Sequence, residues 1–330
     1  MTAASVLVAG GAGYIGSHVV LALLEAGYPV VVIDDLSTGR RDAVASGASF
    51  VEGDIGDTGL LAAAIERHGV GAVMHFAGAV VVPESVADPL KYYLQNTCKS
   101  RGLIETCVAA GVGRFVFSST AAVYGNVGGG PVPESAPTLP ASPYGTSKLM
   151  TEWMLRDAAA AHDLAYAALR YFNVAGADPR GRSGQSTPGA THLIKVACEV
   201  ASGRRPGMEI FGEDYETPDG TCIRDYIHVT DLAAAHLAAL RDLETRGRSL
   251  TLNCGYGRGY SVKEVLAAVE RAAGGALEVR SGPRRPGDVA EIVADASLIR
   301  RELGWQPRHD DLDAIVRAAL AWERKLAGSS

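Results

Sequence analysis

A doubly wound α/β fold on a parallel sheet is what the first half of the sequence predicts. Three observations carry it. Short β-branched or aromatic runs recur along the chain. Helical stretches separate them. The runs are continuous rather than alternating, as strands buried on both faces should be.

The elements follow in order. Val6–Ala9 is a short apolar run closed by Gly10 and Gly11. Residues 14–26 read as a helix stopped by Gly27. Val30–Ile33 is a β-branched strand, and Ser49–Glu52 a third strand-like run. A helix around 59–68, a strand at Ala72–Phe76, a helix over 86–110 and a strand at Phe115–Phe117 continue the pattern. Residues 125–143 are rich in Gly and Pro and read as a long loop. An Ala-rich helix follows over about 143–161, then a strand at Tyr166–Tyr171. Beyond Asn173 the order breaks into a loop at 176–190, a helix at 191–202 and short pieces. The 222–254 segment reads as a return to the sheet. The expected division is 1–173 plus about 222–254 in one unit, and 174–221 plus 255–330 in a smaller mixed α/β substrate-binding unit.

Composition excludes several classes. The chain has 330 residues, 47% hydrophobic and 21% charged, enough to bury a sizeable core and unlike a disordered chain. Its 39 glycines exceed the usual share of about 7%, without the Gly-X-Y period of collagen. A net charge of −6 argues against non-specific nucleic-acid binding. Five widely spaced cysteines with no C-x-x-C fit reduced thiols in a cytoplasmic protein better than a disulfide framework or a zinc site. Met1–Val8 lacks the charged region of a signal peptide, and no apolar run is long enough to span a membrane. No His/Cys/Asp cluster has metal-ligand spacing, and no G-x-S-x-G motif suggests a serine hydrolase.

Chemistry concentrates at two places. Gly10-Gly11-Ala12-Gly13-Tyr14-Ile15-Gly16 follows the first strand and opens a helix. Glycines there let the backbone turn tightly against a pyrophosphate, and the helix N-terminus supplies N–H donors. Asp34 ends the second strand, where a carboxylate binds the adenosine ribose hydroxyls; with Asp35 it disfavours a 2′-phosphate, and so favours NAD over NADP. The turn and Asp34 together make this a dinucleotide site and the sheet Rossmann-like. Asp54 either accepts from an adenine amino group or caps the next helix. The second place is Tyr144 and Lys148, at i and i+4 on one helix face, facing Ser118, Ser119 and Thr120 at a strand end. A nearby ammonium favours the phenolate of a Tyr, which can then take a proton from a sugar or alcohol hydroxyl while hydride leaves to NAD.

These residues resemble the extended short-chain dehydrogenase/reductase family, and within it the UDP-hexose 4-epimerases. The resemblance runs over nearly the whole chain. It is carried by Gly10–Gly16, Asp34, Gly53-Asp54-Ile55, His75-Phe76-Ala77-Gly78, Ser118–Gly125, Tyr144 with Lys148, Tyr171-Phe172-Asn173, Phe211–Tyr215, Arg224–Val229 and Arg285-Pro286-Gly287-Asp288. It implies tightly held NAD that oxidises the sugar C4 hydroxyl, rotation of the 4-keto sugar, and return of hydride from enzyme-bound NADH to the other face. Tyr144 would be the base, Thr120 its hydrogen-bonding partner, and Lys148 the holder of the nicotinamide ribose. Ile55, Phe76, Ala77, Gly78, Asn96, Ser118 and Tyr171 would complete the cofactor site. Ser119, Phe172, Asn173, His192, Leu193, Phe211, Arg224, Arg285, Asp288 and Ile292 would contact the UDP-sugar, with Arg224, Arg285 and Asn173 on the diphosphate and Asp288 on the uridine ribose. Surface salt bridges are the other reading of the two arginines, and a helix-capping or surface role that of His192. The resemblance also implies a homodimer pairing the helices near 86–110 and 143–161.

Departures from the family pattern matter for range. Val80 stands where some members carry a lysine, and Lys195 where proline is common. Ile292 is intermediate in size at a position that gates the sugar pocket, which leaves N-acetylhexosamines open; pentose and uronic-acid sugars are open too. A nucleotide-sugar 4,6-dehydratase would carry an Asp-Glu pair after Thr120, where Ala121-Ala122 stands instead.

Overall fold

The computed structural model describes residues 4–127, 129–285 and 288–328; Pro286 and Gly287 of the sequence motif lie outside them. Seven strands form one all-parallel sheet: β1 (Ser5–Ala9), β2 (Val30–Asp34), β3 (Ser49–Glu52), β4 (Val70–His75), β5 (Arg114–Thr120), β6 (Ala165–Tyr171) and β7 (Leu250–Cys254). Their order is β7-β6-β5-β4-β1-β2-β3. The chain builds outward from β1 to β3, then crosses back to place β4 on the other side of β1. That reversal opens a crevice at the C-terminal strand ends, where ligands of such sheets bind.

Alternation along each strand feeds two cores. Val6, Val8, Val30 and Val32 pack with Val19, Leu23, Leu232 and Leu240, from the helices Tyr14–Glu25 and Val229–Arg246. Leu7, Ala9, Val31 and Ile33 pack on the opposite face with Leu61, Leu103 and Leu155, from the helices Thr58–His68, Lys99–Ala109 and Pro143–Ala161. The sheet is therefore doubly wound, as the continuous apolar runs predict.

A smaller mixed sheet lies beyond it. Ile223–His228 pairs antiparallel with Gly259–Ser261 and parallel with Glu291–Ala294 and Asn173–Ala175. Of the 222–254 segment, Ile223–His228 lies in this smaller sheet, the helix Val229–Arg246 packs on the large one, and β7 joins it. A third apolar cluster unites the helices Leu193–Ala201, Val262–Ala273 and Leu312–Gly328.

Two segments differ from expectation. The helix expected over 86–110 is broken. Val82–Ala87 ends at Asp88, whose side chain caps Pro89–Tyr92 by accepting from Lys91 N at 3.2 Å. A π-helical turn over Tyr93–Cys98 then leads into Lys99–Ala109. Pro89 cannot continue the preceding hydrogen-bond ladder, so the break falls there. The loop expected over 125–143 contains a short strand, Pro131–Val132, paired with Val293 and Ala294. Two residues are too short for a periodic signal.

Candidate active site

The glycine turn is shaped by close backbone approach. A Cβ on Gly10 would lie 2.5 Å from Ala77 N, and one on Gly16 would lie 2.2 Å from Gly10 O. Gly10 also takes φ +81°, which suits glycine alone. Gly13 is the N-cap of the helix Tyr14–Glu25, with no capping side chain and no acid in the first turn. The N-terminal N–H groups are thus left facing a potential anion. Tyr14 and Ile15 begin this helix. The Tyr14 hydroxyl donates to Gly176 O at 2.7 Å, tying it to the second half of the chain. Asp34 is buried at the end of β2 and accepts from Ala12 N and Leu36 N, each at 2.9 Å. Burial pushes its carboxyl up, against those two N–H donors. Asp54 does not cap the following helix; Asp57 does, accepting from Leu60 N. Asp54 instead pairs with Lys99 at 2.5 Å, and Ile55 is buried in the core.

Phe76, Ala77 and Gly78 follow directly on β4, and Asn96 lies against that segment. Phe76 packs 4.9 Å from the His236 ring, and Phe76 N and Ala77 N donate to Ala9 O. Gly78, at φ +152°, has no room for a Cβ beside Asn96 Oδ1. Asn96 sits in the π-helical turn and spends its amide on the chain itself. It accepts from Ala79 N at 2.8 Å and donates to Ala79 O and Ser147 Oγ at 2.9 and 3.0 Å.

The catalytic candidates meet at the end of β5. Ser142 caps the helix Pro143–Ala161 and Pro143 starts it, which puts Tyr144 in the first turn. The Tyr144 phenol stands beside Thr120; burial raises its pKa and the Thr120 hydroxyl lowers it. Lys148 does not reach for the tyrosine. Its Nζ donates to Ser118 O at 3.0 Å and lies 5.0 Å from the Phe117 ring centroid. Burial lowers its pKa to about 8. An ammonium carries three donors, so Lys148 has two left for a ligand. The Ser118 hydroxyl bonds to Tyr171 OH. Ser119 turns away from the crevice: it has no exposed surface and its hydroxyl donates to Glu152.

A second group gathers around the smaller sheet. Arg224 Nη2 lies 3.9 Å from Asp288 Oδ1, and the Arg285 guanidinium stacks 3.7 Å over the Phe211 ring. Phe172 and Ile292 share one apolar cluster with Tyr124 and Leu149. Asn173 opens the strand that pairs with Tyr226. His192 is exposed and stands at the N-cap position of the helix Leu193–Ala201, but its side chain makes no capping bond and its Nδ1 bonds instead to Gln185 Nε2 at 2.8 Å. Leu193 packs against the third cluster.

A profile of the NAD dependent epimerase/dehydratase family matches residues 6–255. The chain belongs to that family. Within it, the chain is similar to a UDP-glucose 4-epimerase from Azospirillum brasilense, at 61% identity over 99% of this chain and 95% of that protein. A UDP-glucose-4-epimerase structure from Stenotrophomonas maltophila, with bound NAD and formylated UDP-arabinopyranose, superposes with TM-score 0.95 at 42% identity, covering 99% of this chain and 100% of that one. A UDP-Glc/GlcNAc 4-epimerase from Campylobacter jejuni superposes with TM-score 0.85 at 46% identity, covering 98% and 100%. The residues present fit the family's cofactor: a glycine cradle with no room for side chains, an uncapped helix N-terminus and a buried acid, Asp34, stand together at the C-terminal ends of β1 and β2.

Sequence reasoning passed over Glu152, which is buried with Arg170 and Asn253. Its signal was legible. Glu152 stands four residues after Lys148, and Arg170 is a charge inside an otherwise apolar strand. Among the described residues no His/Cys/Asp/Glu group could hold a metal, and no helix is long and apolar enough to cross a membrane.

Proposed function

We propose that this protein interconverts UDP-glucose and UDP-galactose by inverting the sugar C4 hydroxyl with bound NAD. The observation that carries this is the meeting of Thr120, Tyr144 and Lys148 at the end of β5, in a chain 61% identical to a UDP-glucose 4-epimerase. Gly10, Gly13, Tyr14, Ile15 and Gly16 hold the cofactor's pyrophosphate, Asp34 its adenosine ribose, and Asp54 and Ile55 border the adenine. Asp34 and Asp35 repel a 2′-phosphate. Bound NAD supplies a reversible hydride acceptor.

The chain supplies the rest. Tyr144 removes the C4 hydroxyl proton and, once the 4-keto sugar has turned over, returns one to the C4 oxygen. Thr120 supports this by lowering the phenol's proton affinity against the effect of burial. Lys148, fixed on Ser118 O, offers its free donors to the nicotinamide ribose. Arg224 and Arg285 bind the diphosphate, an anion that guanidinium groups match geometrically, and Asp288 the uridine ribose. The nucleotide-binding unit comprises 1–173 with most of the 222–254 segment, whose strand Ile223–His228 goes with the smaller sheet, and the sugar-binding unit is the remainder.

A wider sugar range is a second reading. It is favoured by Ile292 in the pocket cluster and by the likeness to a UDP-Glc/GlcNAc 4-epimerase. A homodimer is supported by Val86, Leu90 and Leu94, at four-residue spacing and 54%, 76% and 53% exposed, with Trp153 at 45% on the helix Pro143–Ala161. Five unpaired thiols support a cytoplasmic location.

The test is a coupled assay with UDP-galactose, UDP-N-acetylgalactosamine and UDP-arabinose side by side. Turnover of UDP-galactose that Tyr144→Phe abolishes is expected. Formation of a 4-keto-6-deoxy product from dTDP-glucose, with no epimerisation, would overturn the reading.

A further inference from the structure

Three consecutive residues at the end of β5 are each tied to the helix Pro143–Ala161. Ser118 O accepts from Lys148, the Ser119 hydroxyl donates to Glu152, and the Thr120 hydroxyl stands against the Tyr144 phenol and lowers its pKa. Two of these ties belong to groups that face the reaction. The middle one does not: Ser119 and Glu152 are both buried, and Glu152 stands one helical turn past Lys148 and two past Tyr144. Glu152 is held in turn by Arg170, whose Nε and Nη2 reach its carboxylate at 2.9 and 2.6 Å. Ser119, Arg170 and Asn253 are register partners across β5, β6 and β7. Tyr124 OH closes the rung, accepting from Arg170 at 3.0 Å and donating to Asn253 at 2.7 Å.

A buried ion pair is a poor route to stability, since an apolar pair of the same volume packs there at least as well. An apolar pair, however, would let the helix slide or rotate on the strand. The carboxylate allows one placement, because it is satisfied only when a strand hydroxyl and the guanidinium fork meet it together. We infer that Glu152 is a positioning residue: through Ser119 and Arg170 it fixes the register of the helix on β5, and so sets where Tyr144 and Lys148 stand against Thr120 and Ser118. The inference rests on the roles proposed above for Thr120, Tyr144 and Lys148.

Ser119→Ala tests it, because it cuts the middle tie and leaves the ion pair whole. With UDP-galactose, kcat should fall on the order of ten-fold or more, since small misplacements of reacting groups are expensive. KM should stay within about two-fold, because no substrate contact is removed. Glu152→Gln should lower kcat in the same way, and the double variant should be little worse than the poorer single one, since both break one tie. If Glu152→Gln does not fold, Ser119→Ala still decides. A folded Ser119→Ala protein with wild-type kcat overturns the inference, even if its melting temperature falls. So does a loss confined to KM. Tyr144→Phe run in parallel separates the two readings. Full turnover there would fail the proposed function, whereas an inactive Tyr144→Phe beside a fully active Ser119→Ala fails this inference alone.

Discussion

Lys148→Met should make the protein more stable and inactive at once. The lysine is buried, and its one hydrogen bond goes to Ser118 O. Burial lowers its pKa from 10.5 to about 8. At about 1.4 kcal/mol per pH unit, the ammonium costs the folded state about 3 kcal/mol below that pH. The lost hydrogen bond returns about 1 kcal/mol of this, which leaves a net gain of about 2 kcal/mol for the variant near pH 7. The sign follows from proton binding. The unfolded chain holds this proton more tightly than the folded one, so wild-type stability rises as pH climbs from about 8 to 10.5. The gain from methionine should therefore shrink over that window. Urea unfolding of both proteins, freed of nucleotide, at pH values below 8 and above 10.5 checks it. A variant less stable than wild type near neutrality, or a gain that does not change with pH, would refute the reasoning.

Other outcomes follow from the same geometry. Gly16→Ala sets a Cβ 2.2 Å from Gly10 O; it should cost about 1–3 kcal/mol as overpacking and reduce the NAD that co-purifies, read by absorbance after denaturation. Arg224→Ala should raise KM for UDP-galactose by on the order of ten-fold or more, as a charged hydrogen-bond donor to the diphosphate is lost, with a smaller change in kcat. Leu90→Glu with Trp153→Glu charges two exposed apolar side chains, and light scattering should then report monomers where the unaltered chain gives dimers.

Much of the architecture was legible because it is written in periodicity. Most strands from Val6 to Tyr171 announced themselves as continuous apolar runs, as a sheet covered on both faces requires; the edge strand Ser49–Glu52, polar and exposed at both ends, is the exception. The helix over 86–110 was read too simply. Proline at 89 breaks it, and the following π-helical turn has no sequence period of its own. Pro131–Val132 escaped for a similar reason: it is a strand only because Val293 and Ala294 lie beside it.

The site divides along the same line. Sequence by itself determined the local chemistry: glycines where the backbone must approach a phosphate, Asp34 at a strand end, and Tyr144 one helical turn from Lys148. These are short-range facts, set by backbone sterics and the helical repeat. Only the tertiary structure decided how those groups are used. The i, i+4 spacing suggested that Lys148 addresses Tyr144, but packing sends it to Ser118 O. Ser119 looked like a ligand contact beside Thr120, but strand alternation turns it inward to Glu152. Arg224 and Asp288, 64 positions apart by their numbering, meet only because Ile223–His228 and Glu291–Ala294 pair in one sheet. A side chain's partner is fixed by which face its strand or helix buries and by what arrives from elsewhere in the chain, and no local pattern carries that information.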